Sequence, residues 1–113
     1  MIKIMEENFK VEIDKIKNEI KTTNIKIMQQ INSNLIMMYF RIGKILEENS
    51  KYGNRFIINV SHSIKLNYPN IKGFSDRNLK RMKRFYNEYK DDEKVQQLVA
   101  HLPWRHNVLL FEK

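Results

Sequence analysis

Four cationic side chains recur at helical spacing in one short stretch of this chain: Arg77, Lys80, Arg81 and Arg84. At 100° per residue they fall within an arc of about 100° on one side of a helix. Arginine binds phosphate groups and guanine edges in a bidentate way that lysine cannot match. The pattern therefore predicts a surface that binds the phosphate backbone of a nucleic acid.

An apolar face lies on the other side of the same predicted helix: Leu79, Met82, Phe85, Tyr86 and Tyr89. These five residues fall within an arc of about 120°. Ser75 is a suitable N-cap, because its hydroxyl can accept a hydrogen bond from a first-turn amide, and Asp76 complements the positive helix end. The sequence thus predicts an amphipathic helix from Ser75 to about Tyr89.

Most of the excess positive charge surrounds this helix. The 113 residues carry a net charge of +8, and residues 55–90 alone hold nine basic and two acidic side chains, a net of +7. Such a patch favours a nucleic acid, duplex DNA before RNA, over anionic lipid or an acidic protein. A lysine-rich face that is merely solvated is the alternative. Arg55 and Lys72 flank the helix and complete the predicted contact residues.

Catalytic chemistry has little support in the sequence. No cysteine is present, which excludes a disulfide scaffold and a zinc finger, and the three histidines lack the i, i+4 spacing of a helical zinc site. The acidic run at residues 91–93 lacks the spaced carboxylates with which a metal-dependent nuclease holds its ions. We expect no metal, no cofactor and no enzyme activity, so that DNA and RNA stay intact with magnesium.

The start of the chain lacks the apolar core of a signal peptide, and no window approaches the roughly 18 apolar residues of a membrane span. We therefore expect a cytoplasmic protein without a membrane partner.

With three glycines and two prolines, the chain is expected to be all-α and to form a single domain over residues 1–113. Residues 1–49 are predicted to form a long helix or helix pair, with Thr22–Asn24 as the favoured break. Residues 55–89 follow as a helix-turn-helix-like unit with a loose, long turn. Short helices over 93–112 complete the fold.

A heptad-like seam occupies the first segment: Phe9, Ile13, Ile16, Ile20 and Ile27. It is too apolar to remain exposed along a solvated helix. We expect it to pack on a second copy, giving a homodimer, or on a partner protein; a helix folded back in a monomer is the alternative. Residues from about Asn32 onward have enough apolar side chains to close a core of their own.

Three further side chains have predicted positions. Gly43, alone inside a helix, is expected where two helices approach closely. In the first helix of the helix-turn-helix-like unit, Phe56, Val60 and Ile64 should form the inward ridge, with Ile57 flanking it. Trp104, after Pro103, should be mostly buried near Met82, Phe85 and Tyr86, and Asn78 should bond backbone near the turn.

Several of these residues resemble the N-terminal domain of the YhcG family. They are Asn32, Tyr39 to Ile45, Tyr52-Gly53, Pro69, Gly73 to Leu79, Met82, Phe85-Tyr86 and Leu102 to His106. Their order and spacing match over roughly residues 25–113. Tyr39-Phe40 and Tyr52-Gly53 stand where family members usually have Tyr-Trp and Trp-Gly, and these aromatic replacements should keep the packing.

The resemblance implies a helical, DNA-binding module. Full-length members are predicted nucleases of the PD-(D/E)XK superfamily, whose catalytic domain follows this one. Arg77 and Asn78 correspond to motif residues of the recognition helix, and Trp104 and His106 to motif residues of the last helix. Residues 1–113 match nothing of the catalytic domain, so nuclease activity is not expected. The alternative is a small inhibitor or adaptor, of phage origin for instance, that engages a nuclease complex.

Overall fold

The computed structural model describes residues 2–112, with side chains from residue 6 onward. The helices, in chain order, are α1 (Ile2–Glu48), α2 (Asn54–Asn67), α3 (Asp76–Tyr89), α4 (Glu93–Val99) and α5 (Trp104–Phe111), and a 3-10 turn (Ser50–Tyr52) separates α1 from α2. Over this range there is no β-strand, so the all-α prediction is confirmed.

The chain divides into two compact units, an N-terminal unit (Met1–Ile31) and a C-terminal unit (Asn32–Lys113). In the N-terminal unit, every side chain from Glu6 to Ile31 is exposed. The break expected at Thr22–Asn24 is wrong, because α1 is continuous there. Threonine and asparagine are only moderately poor helix formers, and neither removes a backbone hydrogen bond as proline would.

The core lies in the C-terminal unit and has two clusters of buried side chains. The first contains Ile36, Phe85, Val99, Ala100, Val108 and Phe111. The second contains Tyr39, Leu46, Ile57, Leu79 and Met82. Half-buried Trp104 packs against both clusters. The expectation that the residues after about Asn32 close their own core agrees with this division.

Within the C-terminal unit, the buried face of α1 carries Ile36, Tyr39 and Leu46. Leu35 and Ile45, each one residue before a buried side chain, are 37% and 55% exposed. The side of α1 that packs into the core is therefore the one marked by Ile36, Tyr39 and Leu46.

At Gly43, α1 approaches α3 closely. A Cβ at this position would lie on the backbone carbonyl of Met82 and 2.9 Å from Cβ of Tyr86. The rings of Phe40 and Phe85 meet nearby, with centroids 5.8 Å apart. The expectation of close helix packing at Gly43 is confirmed.

Helix α2 packs on α3 and buries Ile57, which is 4% exposed. Phe56, Val60 and Ile64 are only half-buried. Phe56 and Val60 pack against the second cluster, as the predicted inward ridge required, but Ile57, expected only to flank this ridge, lies deepest. The linker of residues 68–75 is held by Ser61, whose hydroxyl donates to the carbonyl of Phe74 at 2.8 Å.

Helix α3 is the central element of the C-terminal unit, because it contacts α2, α4 and α5. Leu79, Met82 and Phe85 are buried, as the apolar arc predicted. With this face fixed in the core, the opposite face of α3 is directed away from it.

Candidate nucleic-acid interface

The start of α3 is fixed by a local hydrogen-bond network. The Ser75 hydroxyl accepts from the backbone N–H of Asn78 at 3.1 Å, so Ser75 is the N-cap that the sequence predicted. The side-chain amide of Asn78 donates to the carbonyl of Gly73 at 2.6 Å, which confirms the expected backbone bond near the turn. Gly73 has a φ of 93°, and a Cβ there would lie 2.9 Å from the hydroxyl of Tyr39. Position 73 therefore favours glycine, because other residues rarely adopt this φ and a side chain there would crowd the Tyr39 hydroxyl.

A second bond ties this turn to α5. The indole N–H of Trp104 donates to Oδ1 of Asn78 at 2.8 Å. The Trp104 ring meets Tyr39, Phe85 and Phe111, with centroids 4.8, 5.2 and 5.7 Å apart. The predicted contact with Phe85 is confirmed. Trp104 as a whole is half-buried.

Three of the four predicted α3 cations are exposed: Arg77, Lys80 and Arg84. They occupy the side of α3 opposite its buried residues. Because the apolar face and the capped N-terminus fix the helix, these side chains project from a rigid element. The structure thus brings Arg77, Lys80 and Arg84 onto one cationic face.

Arg81 differs from the other three, because an acidic partner already engages it. Its Nε donates to the carboxylate of Glu112 at 2.7 Å, with 26% of the Arg81 side chain exposed. The hydrogen bond from Arg81 holds the pKa of Glu112 below its usual range, and the charges of Arg77 and Arg84 lower this pKa further. The charges of three arginines therefore act on one carboxylate, which only Arg81 is seen to contact.

A cleft of about 350 Å³ adjoins this pair. It is lined by Arg81, Trp104, Arg105, Val108, Leu109 and Glu112. Neither Glu112 nor Arg105 is among the contact residues predicted from the sequence. No local pattern could have found the Arg81–Glu112 pair, because 31 residues separate its members.

Arg55 and Lys72 are exposed on other elements. Arg55 is the second residue of α2, and Lys72 lies in the linker before α3. Neither residue is among the groups that lower the pKa of Glu112, which are Arg81, Arg77 and Arg84.

The other edge of α3 has its own acidic neighbour. Asn87 donates to Glu47 at 2.8 Å, and the ammonium of Lys83 lies 3.9 Å from the same carboxylate oxygen. The hydrogen bond from Asn87 is the main cause that lowers the pKa of Glu47, and the charge of Lys83 lowers this pKa further. Lys83 is therefore engaged with α1 and does not extend the cationic face.

His106, a residue of the resemblance, is exposed on α5. It lines an apolar groove of about 740 Å³ together with Leu102, Leu109, Leu110 and Glu112. Leu109 and Leu110 are 61% and 49% exposed. The site thus has an apolar neighbour on α5.

Neither a metal-binding cluster nor a membrane-spanning helix is found among the described residues. They include no group of three or more histidine, cysteine or acidic side chains arranged to hold a metal ion. In the same part of the chain, no helix has both the length and the apolar character needed to cross a membrane.

The fold and the site together define an all-helical domain with a cationic helix face. The family model for the DUF1016 N-terminal domain matches residues 15–113, and the chain belongs to this family. This match confirms the resemblance to the N-terminal domain of YhcG-type proteins. No curated protein and no solved structure matches the chain.

Proposed function

We propose that this chain is a non-catalytic module that binds nucleic acid, with duplex DNA lying against the cationic face of α3. The observation that carries this proposal is the exposure of Arg77, Lys80 and Arg84 on a helix whose other side is fixed in the core. Phosphate contacts by such residues set position and affinity, and they are strongest when the helix that carries them is rigid. Arg55 and Lys72 would extend the contacts to either side.

The chemistry of the Arg81–Glu112 pair supports the same proposal. Glu112 is an oxyanion that accepts a charge-assisted hydrogen bond from an arginine at 2.7 Å. A DNA phosphate offers the same kind of acceptor. In the proposed complex Arg81 exchanges the carboxylate for a phosphate, and Glu112 turns toward solvent, to which it is already exposed.

The test is a double charge reversal, Arg81→Glu with Arg84→Glu. Affinity for a fluorescent DNA duplex should fall more than tenfold, because two phosphate contacts are replaced by repulsion. The parent's affinity should also fall steeply with salt, with a slope of about −0.9 per neutralised phosphate. Circular dichroism should show unchanged helicity.

A matched control is Lys65→Glu with Lys94→Glu. It changes the net charge by the same amount at exposed positions on α2 and α4. The control should bind DNA within about threefold of the parent. Equal binding by the parent and the α3 variant would overturn the proposal, as would an equal loss in both variants.

A second function, that of a protein-binding inhibitor or adaptor acting on a nuclease complex, is favoured by one observation. The groove on α5 exposes Leu109 and Leu110 beside the cationic face. Contiguous exposed apolar side chains with a polar rim are typical of protein-binding surfaces. Two results together would favour this alternative. The chain would bind no duplex at low salt, and its inhibition of a nuclease complex would be lost in the variant Leu109→Asp with Leu110→Asp.

A further inference from the structure

The N-terminal unit presents an apolar seam without covering side chains. Phe9, Ile13, Ile16, Ile20 and Ile27 are between 49% and 62% exposed. Five large apolar side chains on one side of one helix form a patch much longer than the scattered exposed residues of ordinary surfaces.

The composition of this helix also requires a partner. Residues 6–31 include nine β-branched residues and no alanine: Val11, Ile13, Ile16, Ile20, Thr22, Thr23, Ile25, Ile27 and Ile31. β-Branched residues lose side-chain freedom in a helix. Most helical stability in proteins comes from packing of an apolar face rather than from propensity. A helix of this composition therefore needs its seam covered.

The seam follows a heptad. With Ile13, Ile20 and Ile27 at positions a, the d positions hold Phe9, Ile16 and Thr23, and these positions alternate steps of four and three as coiled coils do. An identical helix offers matching knobs and holes for such a seam.

The charges beside the seam select the orientation of that second helix. Lys10 and Lys17 occupy e positions, and Glu12 and Glu19 occupy g positions. In a parallel, in-register pair, g positions face e positions of the next heptad, so Glu12 meets Lys17 of the second copy, twice by symmetry. In an antiparallel pair, e faces e and g faces g, which sets lysine against lysine and glutamate against glutamate.

We propose that two copies of this chain associate through the α1 seam as a parallel, in-register coiled coil. Glu12 contacts Lys15 of its own chain at 3.1 Å, but both side chains are about two-thirds exposed, so this pair is weak and exchangeable. The pairing goes beyond the proposed function and does not depend on it. Each assembly carries two cationic α3 faces, so DNA binding, where it occurs, gains effective concentration.

The first experiment measures mass. Sedimentation equilibrium of the full chain at tens of micromolar should give twice the 13.8 kDa chain mass. Ile13→Asp with Ile20→Asp should return it to 13.8 kDa and reduce helicity. The control, Asn18→Asp with Thr22→Asp, adds the same charge away from the seam and should keep the double mass. A parent that stays at 13.8 kDa, or an Ile13/Ile20 variant of unchanged mass, would overturn the proposal.

The second experiment measures orientation and uses the absence of cysteine from the chain. Thr23→Cys places one thiol at a d position, where a parallel, in-register pair brings the two Cα atoms within about 7 Å, close enough for a disulfide. Asn18→Cys places it on the outer side as the control. Oxidation with copper phenanthroline should cross-link the first variant at least tenfold faster. Equal rates would overturn the parallel register even where the mass is doubled.

Discussion

Replacing Trp104 with alanine is the sharpest test of how α3 is held. Its ring joins the two core clusters through Tyr39 and Phe85, with centroids 4.8 and 5.2 Å away. Its indole N–H also bonds Asn78 at the start of α3. Removal of the ring therefore opens a cavity between α1, α3 and α5 and releases the turn that begins the cationic helix.

The magnitude follows from those contacts. Truncation of a buried tryptophan costs about 3–5 kcal/mol. Half-burial of Trp104 reduces the area contribution, but its aromatic pairs add about 0.5–1.5 kcal/mol each and the Asn78 bond about 1 kcal/mol. A total of about 3–5 kcal/mol is a large share of the roughly 5–15 kcal/mol that domains possess. At roughly 4–8 °C per kcal/mol, Tm falls by about 12–40 °C.

Thermal and urea unfolding followed by circular dichroism at 222 nm measure this loss. Trp104→Phe is the matched control, because it keeps a ring against Tyr39 and Phe85 but removes the N–H donor. It should cost about 1–3 kcal/mol, the penalty for leaving the Asn78 oxygen unpaired. If Trp104→Ala unfolds like the parent and loses only ligand binding, Trp104 is a stacking surface and this reasoning is refuted.

Two further predictions concern α1 and the acidic partners of α3. Gly43→Ala should destabilise the chain by about 1–3 kcal/mol in urea unfolding, because the added methyl group meets the Met82 carbonyl. The exposed control Lys44→Ala should not destabilise it. Equal urea midpoints for the two variants would contradict this close approach. The pKa values of Glu47 and Glu112 in the folded state lie below the unfolded value of about 4.3. The interactions of these two carboxylates therefore stabilise the fold above that pH. This contribution is lost as the pH falls through the lower folded-state pKa values. The parent should thus lose more stability between pH 5 and 3 than Glu47→Gln with Glu112→Gln, and superimposable profiles would rule this linkage out.

Local sequence patterns were sufficient to predict α3. Ser75, Asp76 and the apolar spacing from Leu79 onward act within one helix, so the cap and the buried face could be read without knowledge of the fold. Pro103, whose missing N–H does no harm at a helix start, likewise marks the start of α5 by a local rule. Such features depend on neighbours one to four residues away, which a sequence displays directly.

Partners distant along the chain could not be predicted in this way. Arg81 and Glu112 are 31 residues apart, and Asn87 and Glu47 are 40 apart. Any of several acidic side chains could have faced Arg81 or Asn87 until the helices were packed. Which apolar side of α1 faces the core could not be predicted for a related reason: an exposed apolar seam and a buried one have the same period.

The resemblance and the packing together single out Arg77. In the stretch Gly73 to Leu79, Gly73 provides the positive φ, Ser75 caps α3, Asn78 bonds both Gly73 and Trp104, and Leu79 is buried. Each of these residues has a structural task, and Arg77, which is exposed, has none of that kind. Its charge acts instead on the carboxylate of Glu112 beside the cationic face. Because the fold does not require Arg77, we propose that it lies at the centre of the phosphate contacts, on a helix whose start the other motif residues build.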